Sequence, residues 1–363
     1  MKVFFYVQHL LGIGHLKRAA TVARALASDG FEVTLASGGV PVEGIAVLQL
    51  PPVSSDASFK QLIEEHGKPI DEAWKARRRA ALLAAWRASD AEVLMVELFP
   101  FGRRQMRFEL LPLLDAAKAR PGRPLIVCSV RDLIQPHPRR EAEMVECFER
   151  YFDRLLVHGD PRVAAFPLAA RLAGKLQYTG YVVNNFFEKT DLGSDEVLVS
   201  VGGGAVGQPL LEAALAARPL TSLRARPWRL LAGANAREPD LALLRGRADS
   251  AVVIERTRRD FAARLANCVL SVSQAGYNTV METLAARARA VVVPFAAGGE
   301  AEQSTRARLL AARGLLEVVE ESALTPASLA AAIERALARP RPAPADIDLD
   351  GAAASARLLR QWR

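Results

Sequence analysis

Four short stretches of this sequence set reactive or ligand-holding side chains beside glycine. The first is His9-Leu10-Leu11-Gly12-Ile13-Gly14-His15-Leu16-Lys17-Arg18. Gly12 and Gly14 let the chain turn sharply and bring backbone N–H groups close to a ligand. The helix start beyond them favours negative charge or a developing oxyanion. A histidine placed there can act as general base near neutral pH. A dinucleotide fingerprint would need a third glycine where Lys17 stands. A tight turn with a helix-capping histidine accounts for the same residues.

The second stretch is Gly202-Gly203-Gly204-Ala205-Val206-Gly207, after an apolar strand and before a helix. Backbone N–H groups in such a loop suit phosphate. No Lys-Ser/Thr pair follows, so it is not a P-loop. A plain strand-to-helix turn also needs small residues. The third is Ser273-Gln274-Ala275-Gly276-Tyr277-Asn278-Thr279-Val280-Met281-Glu282. Thr279 and Glu282 share a helix face, and a carboxylate there can accept two hydrogen bonds from a vicinal diol such as a ribose. Periodicity alone reads the segment as an amphipathic helix with an exposed glutamate. The fourth, Pro294-Phe295-Ala296-Ala297-Gly298-Gly299-Glu300-Ala301-Glu302-Gln303, runs from a strand end into a helix start. Acidic residues in a first turn stabilise helices generally. That covers Glu300 and Glu302 but not Gln303.

Strand-like and helix-like segments alternate around these stretches, the pattern of a parallel sheet covered by helices. Strands are expected at 2–7, 31–36, 46–50, 92–97, 124–130 and 154–158. Helices are expected at 15–28, 74–89 and 105–119. A second cycle has strands at 196–201, 229–231, 251–254, 269–272 and 290–293, with helices at 209–217, 259–266, 276–286 and 301–313. Each half opens with a strand, a glycine turn and a helix. The expected domains are 1–183 and 184–345. A Pro-rich connector ends the second, and a last helix in 346–363, capped by Asp350, can cross back to the first. Two such halves imply a cleft, with ligands beyond the carboxyl ends of the strands. By that rule Glu97 and Asp132, at the ends of first-half strands, are candidates to orient His15 or to hold an acceptor.

Composition narrows the class. The 363 residues suggest roughly two domains. Half are hydrophobic and 24% are charged, which excludes a largely disordered chain. No apolar run reaches the ~18–20 residues of a spanning helix. The apolar start reads as a buried strand rather than a signal peptide. The three cysteines are scattered and form no Cys-x-x-Cys, so a reducing cytoplasm fits. The formal charge is +8. The arginines are dispersed and no stacking stripe of aromatics accompanies them, which argues against nucleic acid as partner.

Together the motifs resemble GT-B glycosyltransferases of the family-28 group, typified by the peptidoglycan lipid II-forming N-acetylglucosaminyltransferase, and most of all its members without an assigned substrate. The resemblance covers nearly the whole chain and is sharpest at Gly12–Arg18, Ser273–Glu282 and Pro294–Gln303. Tyr178-Thr179-Gly180-Tyr181 resembles the step into the inter-domain linker. The resemblance implies an α/β GT-B fold of two facing Rossmann-like domains, acceptor held by the first and nucleotide-sugar donor by the second. Glu282 would hold the ribose diol, with Asn278 and Thr279 beside it on the donor helix. Ala275 and Gly276 would lie against the diphosphate, Gly203 and Gly204 against the phosphates, and Gln303 with Glu302 on sugar hydroxyls. His15 would be the catalytic base, with Gly12 and Gly14 at the acceptor. It implies inversion at the anomeric carbon, a UDP-sugar, no cofactor and no metal, and a small-molecule or lipid-linked acceptor. Two departures weaken the phosphate contacts. Gly204 stands where relatives often carry serine, and Val183-Asn184 where they carry arginine. Position 302 is acidic where relatives can have an amide.

The Asp-x-Asp pattern in Asp346-Ile347-Asp348-Leu349-Asp350 follows a connector rather than a core strand, so it reads as a solvated loop and cap, not a metal motif. Residues 74–87 mix Trp, Leu, Lys and Arg. Such a helix can rest on an anionic membrane surface, consistent with a cytoplasmic protein peripheral to the inner face. A core-packed helix with a charged outer face is the simpler reading. Two other functions compete with transfer: a nucleotide-sugar hydrolase with water as nucleophile, which shares the Gly-x-Gly-His-x-x-Arg stretch, and a non-catalytic nucleotide-sugar-binding protein.

Overall fold

The computed structural model describes residues 1–56, 61–135, 138–183, 190–202, 207–233, 236–296, 301–344 and 346–362. The chain divides into two units. Unit 1 comprises Met1–Val182 and Asp348–Arg363, and unit 2 comprises Val183–Ile347.

Unit 1 contains β1 (Lys2–Val7), α1 (Gly14–Ser28), β2 (Glu32–Ser37), β3 (Leu48–Gln49), β4 (Val53–Ser55), β5 (Leu62–Glu64), α2 (Glu72–Ser89), β6 (Val93–Glu97), α3 (Arg107–Ala119), β7 (Leu125–Arg131), α4 (Glu141–Tyr151), β8 (Arg154–His158), α5 (Ala169–Leu172) and β9 (Leu176–Tyr178). Its parallel sheet runs β3-β2-β1-β6-β7-β8-β9, with β4 and β5 forming a separate antiparallel pair. The inner strands are nearly continuous apolar runs because helices cover both faces. Phe4, Tyr6, Leu94 and Val96 enter one core, and Val3, Phe5, Val7, Val93 and Met95 enter the other. That is the two-residue alternation of a strand.

Helix α1 lays Leu16, Ala19, Ala20, Val22, Ala23 and Leu26 on the sheet. It stops at Asp29, and Gly30 takes φ +84° beyond it. Helix α2 begins where Asp71 Oδ1 accepts the Trp74 N–H at 2.6 Å. Its buried stripe is Trp74, Arg78, Leu82 and Trp86, one residue per turn. Residues 74–87 thus follow the simpler of the two readings, a core-packed helix with a charged outer face. Both tryptophans and Leu82 belong to the core, and Arg78 is fully buried, its Nε 2.8 Å from Glu109 Oε2. Only charged and small residues, Arg77, Arg79 and Arg87 among them, face outward. That face offers charge but no apolar side chains to insert.

Unit 2 contains β10 (Val197–Ser200), α6 (Gln208–Ala217), β11 (Trp228–Ala232), α7 (Glu238–Gly246), β12 (Val252–Arg256), α8 (Phe261–Asn267), β13 (Leu270–Gln274), α9 (Tyr277–Ala286), β14 (Ala290–Val293), α10 (Glu302–Ala311), β15 (Glu317–Val318) and α11 (Pro326–Ala338). Its sheet is also parallel, β12-β11-β10-β13-β14-β15. Val197, Val199 and Val201 face its main core while Leu198 faces a smaller one.

The last helix, α12 (Gly351–Gln361), belongs to unit 1 and packs on α1 through Ala356 and Leu359. The segment before it is clamped to the chain after β9. The Tyr181 N–H donates to the Asp348 carbonyl at 2.7 Å, and the Gly351 N–H to the Tyr181 carbonyl at 3.0 Å. A Cβ on Gly351 would stand 2.3 Å from the Gly180 carbonyl oxygen, so only glycine fits there. Asp350 takes the N-cap position, but its side chain pairs with Arg357 at 2.8 Å instead of capping.

With the hairpin set aside, both sheets contain the strand order 3-2-1-4-5-6, to which unit 1 adds β9 as a seventh strand at its edge. The crossover lies between β1 and β6 in unit 1, and between β10 and β13 in unit 2. Loops at the carboxyl ends of those strands are where ligands bind in such sheets.

Candidate functional site

At the unit 1 crossover, Gly12 lies in the loop after β1 with open space at its Cβ position. Gly14 is the first residue of α1, and His15 follows in its first turn. Glu97 closes β6 and is 1% exposed. His15 Nδ1–H donates to Glu97 Oε1 at 2.8 Å, so the other ring nitrogen, Nε2, is free to act as the base. Arg18 comes one turn after His15 on the same face of α1. Its guanidinium closes on the same carboxylate oxygen and lies 3.4 Å from His15 Nδ1. The chain leaves β6 through Leu98 at φ 68°, a left-handed conformation leucine rarely takes, and reaches Arg103, whose Nε–H donates to the Gln8 carbonyl at 2.8 Å.

Burial sets the charge state here. It pushes His15 down to about 3, against the pull of Glu97, with Arg103 and Arg131 adding to the depression. Burial alone would raise Glu97, but His15, Arg18 and Arg103 outweigh it and hold the carboxyl at about 2. The pair therefore rests as neutral imidazole and carboxylate, with Arg18 balancing the acid. A second buried histidine sits close by. The Ser129 hydroxyl lies 2.8 Å from His158 Nε2, and His158 Nδ1 lies 2.9 Å from Thr179 Oγ1. Thr179 donates to the Gly180 carbonyl at 2.8 Å, so the imidazole N–H points at Thr179 and the serine donates to the ring. Burial pushes His158 to about 3 as well.

Of the two acids that could orient His15, Glu97 bonds it. Asp132 is fully buried past the end of β7, against Gly159, where a Cβ would stand 2.7 Å from the Asp132 Cβ.

At the unit 2 crossover, β10 ends at Ser200, whose Oγ accepts the Gly202 N–H at 3.2 Å. Gly202 has φ +71°, and a Cβ there would lie 4.0 Å from Thr279 Oγ1. The loop after β10 and the start of α9 therefore meet. Gly203 and Gly204 lie outside the described residues. Ala275 is fully buried, and Gly276 is the N-cap of α9 with nothing near its Cβ position. That cap supplies no side-chain acceptor and the first turn holds no acid. The helix therefore brings no carboxylate of its own to the positive end of its dipole. Asn278, Thr279 and Glu282 are half-buried on α9, the last two on one face.

In the fourth stretch Gln303 and Glu302 both bond within unit 2. Gln303 Oε1 accepts the Phe295 N–H at 3.1 Å, which leaves its amide N–H groups as the donor end. Glu302 is 4% exposed and its Oε1 accepts from Arg306 Nη2 at 2.8 Å, so its carboxylate is turned inward. Arg306 has no place among the expected site residues, although it stands one turn past Glu302 and such spacing is an ion-pair signal. Arg18 is likewise one turn past His15. Among the described residues, no group of three or more His, Cys, Asp or Glu is placed to hold a metal ion. No helix of the described residues is long and apolar enough to cross a membrane.

Residues 198–354 match the glycosyltransferase family 28 C-terminal domain. A stretch of 82 residues is 40% identical to the UDP-N-acetylglucosamine--N-acetylmuramyl-(pentapeptide) pyrophosphoryl-undecaprenol N-acetylglucosamine transferase of Phenylobacterium zucineum. That stretch is 23% of this chain and 22% of that enzyme. Among solved structures, the glycotransferase of kitacinnamycin is similar over 99% of this chain and 94% of its own, with TM-score 0.64 and 17% identity. Acinetobacter baumannii MurG is similar over 99% of both chains, with TM-score 0.59 and 16% identity. At such identities the likeness is one of fold: two Rossmann-like units, as in GT-B glycosyltransferases.

Proposed function

Because the chain carries a glycosyltransferase family 28 C-terminal domain on a GT-B fold, we propose that it is a glycosyltransferase. It moves a sugar from a nucleoside diphosphate sugar, UDP first among the candidates, to an acceptor hydroxyl. The observation that carries this reading is the 2.8 Å bond from His15 to Glu97 at the crossover of unit 1. It supplies a neutral, oriented base at a strand end where a substrate is expected.

The chemistry follows from those atoms. His15 Nε2 takes the acceptor hydroxyl proton as the oxygen bonds to the anomeric carbon. The bond from that carbon to the phosphate oxygen breaks, and its electron pair leaves with the nucleoside diphosphate. Attack opposite the leaving group inverts the anomeric centre. Glu97 holds the imidazole through Nδ1–H and stabilises the imidazolium that forms. The start of α9 and the loop after β10 stabilise the leaving diphosphate by N–H groups and helix dipole, which is why we propose that no metal is needed. Glu282 is assigned to the ribose diol and the amide of Gln303 to a sugar hydroxyl.

The acceptor is a small or lipid-linked hydroxyl compound, and the reaction is placed in the cytoplasm, at the inner membrane face for a lipid-linked acceptor. The test is release of nucleoside diphosphate from candidate sugar nucleotides, followed with and without acceptors. Acceptor-dependent release that disappears in His15→Ala and survives chelation is the expected result. Fast release with water alone would convert the reading to a nucleotide-sugar hydrolase. Donor binding without turnover would leave a binding protein.

A further inference from the structure

We propose that Arg306 is the positioning residue for the turn from β13 into α9, and that Glu302 acts through Arg306 rather than on the donor sugar. This rests on the glycosyltransferase reading and deepens it.

Arg306 is 1% exposed. Its guanidinium contacts Glu302, Ala275 and Tyr277 among the described residues. Nη2 donates to Glu302 Oε1 at 2.8 Å, Nη1 comes within 3.5 Å of the Ala275 carbonyl oxygen, and the carbon lies 5.4 Å from the Tyr277 ring centroid. Ala275, Gly276 and Tyr277 are consecutive: the residue after β13, the N-cap, and the first residue of α9. One planar side chain on α10 thus grips the turn from both ends. An ammonium cannot stack and bond two oxygens in this way, so the shape of arginine matters here as well as its charge. Buried ion pairs are weak sources of stability, and an apolar side chain could fill the same space.

The turn gains a fixed peptide plane. In a trans peptide the carbonyl and the following N–H point opposite ways. Drawing the Ala275 carbonyl toward Arg306 therefore aims the Gly276 N–H away from it, to the side where Gly276 has open space. That N–H and those of the first turn of α9 are the donors assigned to the diphosphate. Glu302 holds Arg306 in place. The pair then bears on the diphosphate and not on the sugar, although Glu302 stands beside Gln303.

The experiment measures UMP, UDP and UDP-N-acetylglucosamine binding by calorimetry to the wild type, Arg306→Met, Arg306→Lys and Glu302→Gln, with melting temperatures alongside. The uridine, thymidine and guanosine series are screened first, and the best-bound is used. Arg306→Met should weaken diphosphate binding about tenfold and monophosphate binding by no more than about twofold. The sugar nucleotide should weaken by the same factor as the diphosphate. Arg306→Lys and Glu302→Gln should shift the same ratio by smaller factors, and they carry the test if Arg306→Met does not fold. Equal losses for monophosphate and diphosphate would overturn the proposal, as would a Glu302→Gln loss confined to the sugar nucleotide. Failure of the wild type to bind any nucleotide would instead sink the glycosyltransferase reading, and this proposal with it.

Discussion

At the crossover of unit 1 a histidine, a glutamate and two arginines crowd the space between α1 and β6. At the crossover of unit 2 the described residues that meet are a glycine, a threonine hydroxyl and an uncapped helix start. The strand order around them is the same. Unit 1 places charge in side chains and buries it, so protonation states are set by desolvation and by Arg18. Unit 2 leaves its crossover to backbone N–H groups and keeps its buried ion pair, Glu302 with Arg306, one layer behind them. A proton-transfer site needs an oriented base that is unprotonated at the working pH, and a diphosphate site needs N–H donors.

The largest effect should come from removing the base. His15→Ala should lower kcat about a thousandfold with donor affinity unchanged, read by steady-state kinetics and nucleotide calorimetry. Equal loss of donor affinity would break the division between the units. Glu97→Gln comes next. It leaves buried Arg18 without its anion, so stability should drop by about 3 kcal/mol in denaturant unfolding. Catalysis should fall about a hundredfold through the lost hold on His15.

Acid sensitivity sharpens the same contrast, because all five histidines lie in unit 1 and none in unit 2. His15 and His158 fold with values near 3, below their ordinary 6.5. Below pH 6.5 the unfolded chain takes up protons that the folded chain refuses. Stability contributed by these two groups is thus complete above pH 6.5 and is lost as pH falls toward 3. Each contributes a slope of about 1.4 kcal/mol per pH unit in that window. Burial depresses His9 in the same direction. Hydrogen exchange at pH 5 should show unit 1 opening before unit 2, and His15→Ala should remove one proton from the slope. Earlier opening of unit 2 would contradict the assignment. Catalysis, by contrast, should show no acid limb from His15 between pH 8 and 5.

Much of this was legible from sequence for a physical reason. β1 (Lys2–Val7) and β8 (Arg154–His158) are short apolar runs, and α1 repeats apolar residues every third or fourth position, so burial writes them plainly. His15 and Glu97 are readable as helix-start and strand-end residues respectively, but their pairing joins positions 82 apart and depends on β1 lying beside β6. Helix α11 carries a signal that single-segment reading passes over, with Thr325 and Ser328 forming a capping box around Pro326. Arg78 misleads in the other direction. In a run of three arginines it looks like surface charge, yet it falls on the Trp74–Leu82–Trp86 stripe and finds Glu109 on another helix. Glu302 misleads similarly, since its partner is one turn on and only burial shows that the pair faces inward.

The smallest expected effect is also the most discriminating. Gly276 has φ −62° and open space where a Cβ would go, so alanine fits its conformation without strain. Gly276→Ala should alter unfolding stability by no more than about 1 kcal/mol, the cost of a poorer N-cap. If the unit 2 crossover receives a diphosphate through its backbone, that added methyl stands where the ligand must come close. The KM for the donor should then rise several-fold while kcat at saturating donor stays within about twofold, the mark of lost ground-state binding. The unit 1 substitutions should show the reverse split, with kcat falling and donor KM unmoved. An unchanged donor KM in Gly276→Ala would mean the ligand does not approach α9. The contrast between a side-chain site and a backbone site would then lose its second half.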